Sequence, residues 1–320
     1  MKKDSYFYGE HFEGNGQMRR GLYGNADDFL KDYLRRSVSE AKSAFDLKMN
    51  NKLFYGLIYQ ACENIKLLHY IENVGQRRNE HCVMAPILKG IKNKLKLKEL
   101  YTWKNGIEGE IAARTLTVND LILNFYDPFY PFDKDIFKKD EEKDVYLSAI
   151  ALTAEEFEEG EEVYTEGNLY ESYLKQFLKE NPDKTEADFE PVVINFSAEH
   201  ARMCMSTNIT SVYEIIGLIE DMEYIEAFGK KFAVLKVNIE HREDDEYLYV
   251  NVYVGEHLLN NYKPEVGKGF QGGIHLFGHF EPTFKPIQTK SKPNVKCSYI
   301  ASVVIIILLL LVLVLTIIGF

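Results

Sequence analysis

The sequence predicts an α+β protein: a helical N-terminal region, a mixed α/β middle, a small five-stranded β-barrel, then one C-terminal transmembrane helix. Three observations carry this. Apolar residues recur at helical spacing between positions 26 and 100, they alternate with period two between 230 and 254, and a 22-residue run without a single charge follows position 298. On these grounds the chain divides into residues 1–108 (mainly helical), 109–207 (acidic and mixed), 208–282 (barrel), 283–298 (a Pro/Lys-rich tether) and 299–320 (membrane span).

The first 25 residues are rich in glycine and aromatics and read as a loop. Gly14, Gly16 and Gly21 lack the preceding strand that a phosphate cradle requires. Asn25 stands where a helix N-cap belongs, and Leu30, Leu34, Val38, Ala41, Phe45 and Met49 then fall on one helical face. After Asn50-Asn51 a second helix is expected, burying Phe54, Ile58, Ala61, Ile65 and Leu68 and stopping before Gly75, so that the two form a helical hairpin. A third stretch, MAPILKGIKNKLKLKEL, aligns Met84, Leu88, Ile91 and Leu95 and carries five lysines. It reads as a basic amphipathic helix that packs on the hairpin or lies on a membrane surface.

In the middle region, KDVYLSAIAL and PVVINF read as strands and GNLYESYLKQFLKEN as a helix. Thr153 with Glu156 suggests the cap of a short acidic helix. The glutamates at 155, 156, 158, 159, 161 and 162 form a solvated face or a docking patch for a basic partner.

Residues 211–280 read as five strands with a short helical connector, GEHLLNNY, before the last two. That order is similar to the OB-fold, a likeness of pattern over about 70 residues. Ala233, Leu235, Val237 and Ile239, with Leu248, Val250, Val252 and Val254, share the parity that fills a barrel. The opposite parity presents Phe232, Lys236, Tyr247, Tyr249, Asn251 and Tyr253, a candidate binding platform unless other parts of the chain cover it. His275 and His279 lie four apart in a strand and share a face, the weak beginning of a metal site that would need further ligands. No cofactor motif and no assembled catalytic constellation is legible. An enzyme would have to gather distant groups such as His11, Asp127, Asp133, His200 and Cys204. Cys62 and His69, seven apart on a helix, would be about 10 Å apart along its axis.

Net charge is −11, distributed as about +5 over residues 26–108, −14 over 109–207, −7 over 208–282 and +4 over 283–298. An acidic body argues against nucleic acid as a partner, because phosphate affinity comes from Lys and Arg. Cys62, Cys82, Cys204 and Cys297 form no disulfide framework and fit a reducing compartment.

Tyr299–Phe320 would span about 33 Å as a helix against about 30 Å of hydrocarbon. Lys285, Lys290, Lys292 and Lys296 precede this run, which by the positive-inside rule leaves the bulk of the chain cytoplasmic. Lys290, Lys292, Lys296 and Cys297 would lie at the membrane surface, the thiol placed for S-palmitoylation. The expected protein is a tail-anchored, single-pass binder of a protein partner at a membrane. A membrane-bound enzyme with a site in the middle region, or an accessory subunit of a membrane complex, are the alternatives.

Overall fold

The computed structural model describes residues 5–6, 15–49, 51–75, 78–116, 121–198, 203–206, 210–241 and 247–281. The chain is mostly β, with 54% in strands and few helices. In order come β1 (Ser5–Tyr6), α1 (Asn15–Tyr23), α2 (Ala26–Phe29), which continues through a π-helical turn at Leu30–Leu34 into α3 (Arg35–Glu40), then β2 (Lys42–Met49), β3 (Lys52–Gln60), β4 (Ile65–Gly75), β5 (Arg78–Leu88) and β6 (Ile91–Thr102). These are followed by β7 (Gly109–Thr115), β8 (Ile122–Tyr126), α4 (Tyr130–Ile136), β9 (Glu142–Ala151), β10 (Glu155–Glu156), β11 (Gly160–Tyr164), α5 (Asn168–Glu180) and β12 (Val192–Phe196). The last are β13 (Met203–Ser206), β14 (Val212–Ala227), β15 (Lys230–His241), β16 (Tyr247–Gly255), α6 (Glu256–Leu259) and β17 (Gly269–His279).

The α+β expectation is corrected by a closed eight-stranded barrel. Its strands run β6-β7-β8-β17-β14-β15-β16-β9 and return to β6. Closure comes from antiparallel β6–β9 pairing (Ile91↔Leu147 to Lys96↔Glu142) and β14–β17 pairing (Val212↔His275 to Leu218↔Gly269). β9 and β17 also pair with each other, from Leu276↔Ala149 to His279↔Tyr146. The interior alternation of β15 and β16 holds as expected, with Ala233, Leu235, Val237, Ile239, Leu248, Val250, Val252 and Val254 all in the core. That core is shared with Leu95, Leu97, Ile111, Leu123, Phe125 and Val145, so no self-contained five-stranded OB-like barrel exists over 208–282. GFQGGIHLFGHF forms one long strand, β17, rather than two.

β9 borders β6 along its first half (Ile91↔Leu147) and β16 along its second (Asn251↔Ser148), so the first residues of β6 meet the first half of β16. The Asn93 carboxamide closes that seam. Its Nδ2 donates to the carbonyls of Ile91 (2.9 Å) and Tyr249 (2.8 Å), while Oδ1 accepts from Tyr249 N (3.1 Å).

The helical reading of residues 50–100 is overturned by a four-stranded antiparallel sheet, β2-β3-β4-β5. Asn51 sits at φ 62° in the β2–β3 turn, a left-handed position that asparagine tolerates and that suits a hairpin. The lysine-rich stretch becomes β6, in which Leu95 and Leu97 enter the core and the intervening lysines face out. Asn25 does cap a helix, its Oδ1 accepting from Asp27 N (2.9 Å) and Asp28 N (3.3 Å), but that helix ends at Glu40. The glycine-rich start contains a helix as well, α1, and a Cβ on Gly21 would lie 2.3 Å from Ile150 Cγ2. Gly21 therefore serves close packing of α1 on β9, not phosphate.

The small sheet and the N-terminal helices cover part of the barrel's outer face. Met18, Leu22, Phe29, Leu57, Ile65, Leu67 and Ile71 pack there against Tyr126, Ile150, Phe232, Tyr253 and Phe277. No helix among the described residues is long and apolar enough to cross a membrane. The run 299–320, the tether 283–298, His11 and His200 lie outside the described residues.

Candidate functional site

The platform expected on β15 and β16 is built and largely closed. Phe232 and Tyr253 are fully buried beneath the small sheet and the N-terminal helices. The Tyr253 hydroxyl donates to the backbone oxygens of Lys89 (3.0 Å) and Asn64 (3.3 Å), and burial raises its pKa well above the ordinary tyrosine value. Asn251 donates to the same Lys89 oxygen at 2.9 Å. A bulge between Ile219 and Asp221 turns Glu220 onto this face, where its carboxylate accepts from Tyr249 Oη (3.0 Å), Asn238 Nδ2 (3.2 Å) and Lys236 Nζ (3.4 Å). Lys236 also lies 4.0 Å over the Tyr249 ring, and Tyr247 packs beside Tyr249 at 5.8 Å. Most polar groups that could meet a ligand here already meet one another.

His275 and His279 do share a face of β17, around Phe277. His275 is fully buried against Phe277 (4.3 Å between centroids) and Tyr126 (6.3 Å), which pushes its pKa down to about 3. His279 stacks on Tyr146 at 5.5 Å and donates from Nδ1 to the Phe280 carbonyl at 2.8 Å. Both rings are packing groups. Among the described residues no set of three or more His, Cys, Asp or Glu side chains is placed to hold a metal ion.

Of the distant residues considered for catalysis, the fold brings Asp127 and Asp133 together. Both are buried in the segment after β8, with Asp127 Oδ1 accepting from Phe129 N (2.8 Å) and Asp133 Oδ2 from Phe280 N (3.2 Å). Burial, then the neighbouring Asp133, holds the Asp127 carboxyl well above its usual range; burial lifts Asp133 to about 6. Nearby, Tyr126 Oη donates to buried Glu108 at 3.0 Å, and Tyr70 Oη to the Pro128 carbonyl at 2.9 Å. Glu110 alternates with core Ile111 and so lies on the outer face of β7, under cover, where Ser211 Oγ donates to it at 3.1 Å. Burial raises Glu110 to about 8. Asp133 ties α4 to the residue after β17. Sequence spacing gives no sign of Glu108 or Glu110, because their partners lie on other strands.

A surface groove of about 260 Å³ is lined by Leu22, Tyr23, Lys230, Glu256, His257 and Asn260. Lys230 lies 4.9 Å over the Tyr23 ring and 3.9 Å from Glu256.

An open surface is formed by an excursion between β10 and β13. It leaves at Phe157, whose N–H donates to the Gly269 carbonyl at 2.9 Å, and returns at Ala198, packed on Gly269. Within it, β11 and β12 form a two-stranded ribbon, α5 follows β11, and a 3₁₀ turn (Glu186–Asp188) with a Thr185/Asp188 capping box precedes β12. From Glu158 to Ser197 no side chain is fully buried. Val163 and Val193, directly paired across the ribbon, are 55% and 48% exposed, and Tyr173 on α5 is 50% exposed. Residues 157–198 carry eleven carboxylates against three lysines. The predicted acidic helix at Thr153–Glu156 is instead strand β10, paired to Phe270 and Gln271 of β17.

Comparison with known proteins returns no matching family model, no matching curated protein and no matching solved structure.

Proposed function

We propose that this protein is a membrane-anchored binding protein, held in a bilayer by the uncharged run 299–320, that offers the acidic arm of residues 157–198 to a basic protein partner. The carrying observation is that the arm has ordered strands and a helix yet no fully buried side chain between Glu158 and Ser197. A two-stranded ribbon is marginally stable alone, and its paired valines gain by being covered. Carboxylates around that apolar pair favour a cationic partner and disfavour an acidic one. The β15–β16 face supports binding less well, since Glu220 already engages Tyr249, Asn238 and Lys236. The lysines at 285, 290, 292 and 296 support a cytoplasmic body.

The test is affinity capture from detergent-solubilised membranes with the wild-type chain and with a Val163→Asp/Val193→Asp variant. Basic proteins recovered by the wild type and lost with the variant support the reading. Identical recovery from both, with the variant folded, overturns it. Alkaline carbonate washing that strips the intact chain from membranes overturns the anchor.

A further inference from the structure

The stretch Lys89–Lys98 holds five lysines and no acid. In β6, Leu95 and Leu97 point into the core, so Lys92, Lys94, Lys96 and Lys98 share the outward face, a row about 20 Å long. Lys92 pairs with Asp144 at 2.7 Å and Lys98 with Asp140 at 2.5 Å, whereas Lys94 and Lys96 have no ion pair among the described residues. Across the ladders, Lys96 is opposite Glu142 on β9 and Arg114 on β7. This face therefore carries five cations against four carboxylates, those of Glu99, Asp140, Glu142 and Asp144.

Its position gives that charge a use. Lys92 pairs with Tyr146 on β9, and Tyr146 pairs with His279 on β17, so the row lies two strand spacings, about 10 Å, from the end of β17. Glu281 is the last described residue and its charge is felt at Lys92. Beyond it lie the lysines of the tether and the uncharged run 299–320. The acidic arm is rooted at Gly269, the opposite end of the 11-residue strand β17, about 35 Å away and several Debye lengths at physiological salt.

We propose that the outward face of β6 docks on anionic lipid, seating the barrel on the bilayer with the acidic arm turned toward the aqueous phase. This rests on the membrane anchor proposed above and adds an orientation to it. A tether of 16 residues alone would let the body stand up to about 50 Å from the surface in any attitude. Lysines near an anionic leaflet supply the bias, and the arm's carboxylates are repelled by the same surface.

The experiment reconstitutes the full chain into vesicles of phosphatidylcholine alone and of phosphatidylcholine with phosphatidylserine, then labels amines with a membrane-impermeant acylating reagent. Mass spectrometry compares Lys94 and Lys96 with Lys175 and Lys179 on α5. Docking gives protection of Lys94 and Lys96 on the order of tenfold in phosphatidylserine vesicles only, lost at high salt, with the α5 lysines unchanged; in a Lys94→Glu/Lys96→Glu variant the accompanying protection of Lys92 is lost. Equal labelling of Lys94 and Lys96 in both compositions overturns it. Flotation with pure phosphatidylcholine vesicles scores the anchor separately. Flotation together with equal labelling defeats docking and leaves the anchor standing; protection by phosphatidylserine without flotation on phosphatidylcholine does the reverse.

Discussion

Replacing Glu110 by Gln tests whether the barrel holds a buried, protonated carboxyl. Burial raises this group from 4.5 to about 8, with the Ser211 hydroxyl bond lowering it only in part. The folded state thus keeps a proton that the unfolded chain releases at lower pH. Stability is full below about pH 4.5, falls by about 1.4 kcal/mol per pH unit as pH rises toward 8, and is flat above. The whole decline is about 4–5 kcal/mol, a large share of a domain's net stability. The Gln variant cannot ionise, so it escapes this loss, although its amide meets a site where Glu110 Oε2 has no hydrogen-bond partner among the described residues. That mismatch costs about 1–3 kcal/mol at every pH and cancels when the variant and wild type are compared at two pH values. Urea unfolding at pH 5 and pH 8.5 should shift the stability difference by about 4 kcal/mol in favour of Glu110→Gln at the higher pH. A difference that stays constant within about 1 kcal/mol would mean that Glu110 is solvated or ionised in the fold, refuting the reasoning.

The two parts of the β15–β16 face should respond differently to truncation. Phe232→Ala, at a fully buried ring, should cost about 3–5 kcal/mol in urea unfolding, whereas Tyr247→Ala should cost no more than about 1 kcal/mol; similar costs would mean that the N-terminal layer does not cover this face. Asn93→Ala removes the side chain that pairs both backbone groups of Tyr249 across the β6–β16 seam. It should cost about 2–4 kcal/mol and speed hydrogen exchange at the Tyr249 amide, and unchanged exchange would show that the seam does not depend on this carboxamide.

Legibility in the sequence followed burial. β15 and β16 are legible because one face fills the barrel and the alternation survives; α5, β9 and β12 are legible from length and composition. β3 and β4 were misread as helix for a physical reason: in β4, Ile65, Leu67, Leu68, His69, Tyr70 and Ile71 are all buried, so both faces are apolar and period two disappears. Any continuous apolar run also satisfies an i, i+4 template. Asn50-Asn51 marks a break in the apolar pattern, but the left-handed φ of Asn51, which suits a hairpin, has no sequence signature beyond asparagine itself. In β6 the helical spacing of Met84, Leu88, Ile91 and Leu95 masks the alternation of core Leu95 and Leu97 with outward Lys94 and Lys96. The barrel's size was not legible, since β6 closes on β9, and β9 meets β16 and β17, across separations of about 50 to 130 residues that local pattern does not encode. Of the candidate site, the acid of the arm was plain in the sequence; its standing clear of the core was not.

The most direct measurement places a photo-crosslinking amino acid at position 193, on the exposed ribbon face, and irradiates the full chain in intact membranes. A discrete adduct with a basic polypeptide, absent when the crosslinker is at 247 and lost on Glu161→Lys/Glu162→Lys, is the expected result. Adducts that survive the charge reversal, or none from position 193, would contradict a binding role for the arm.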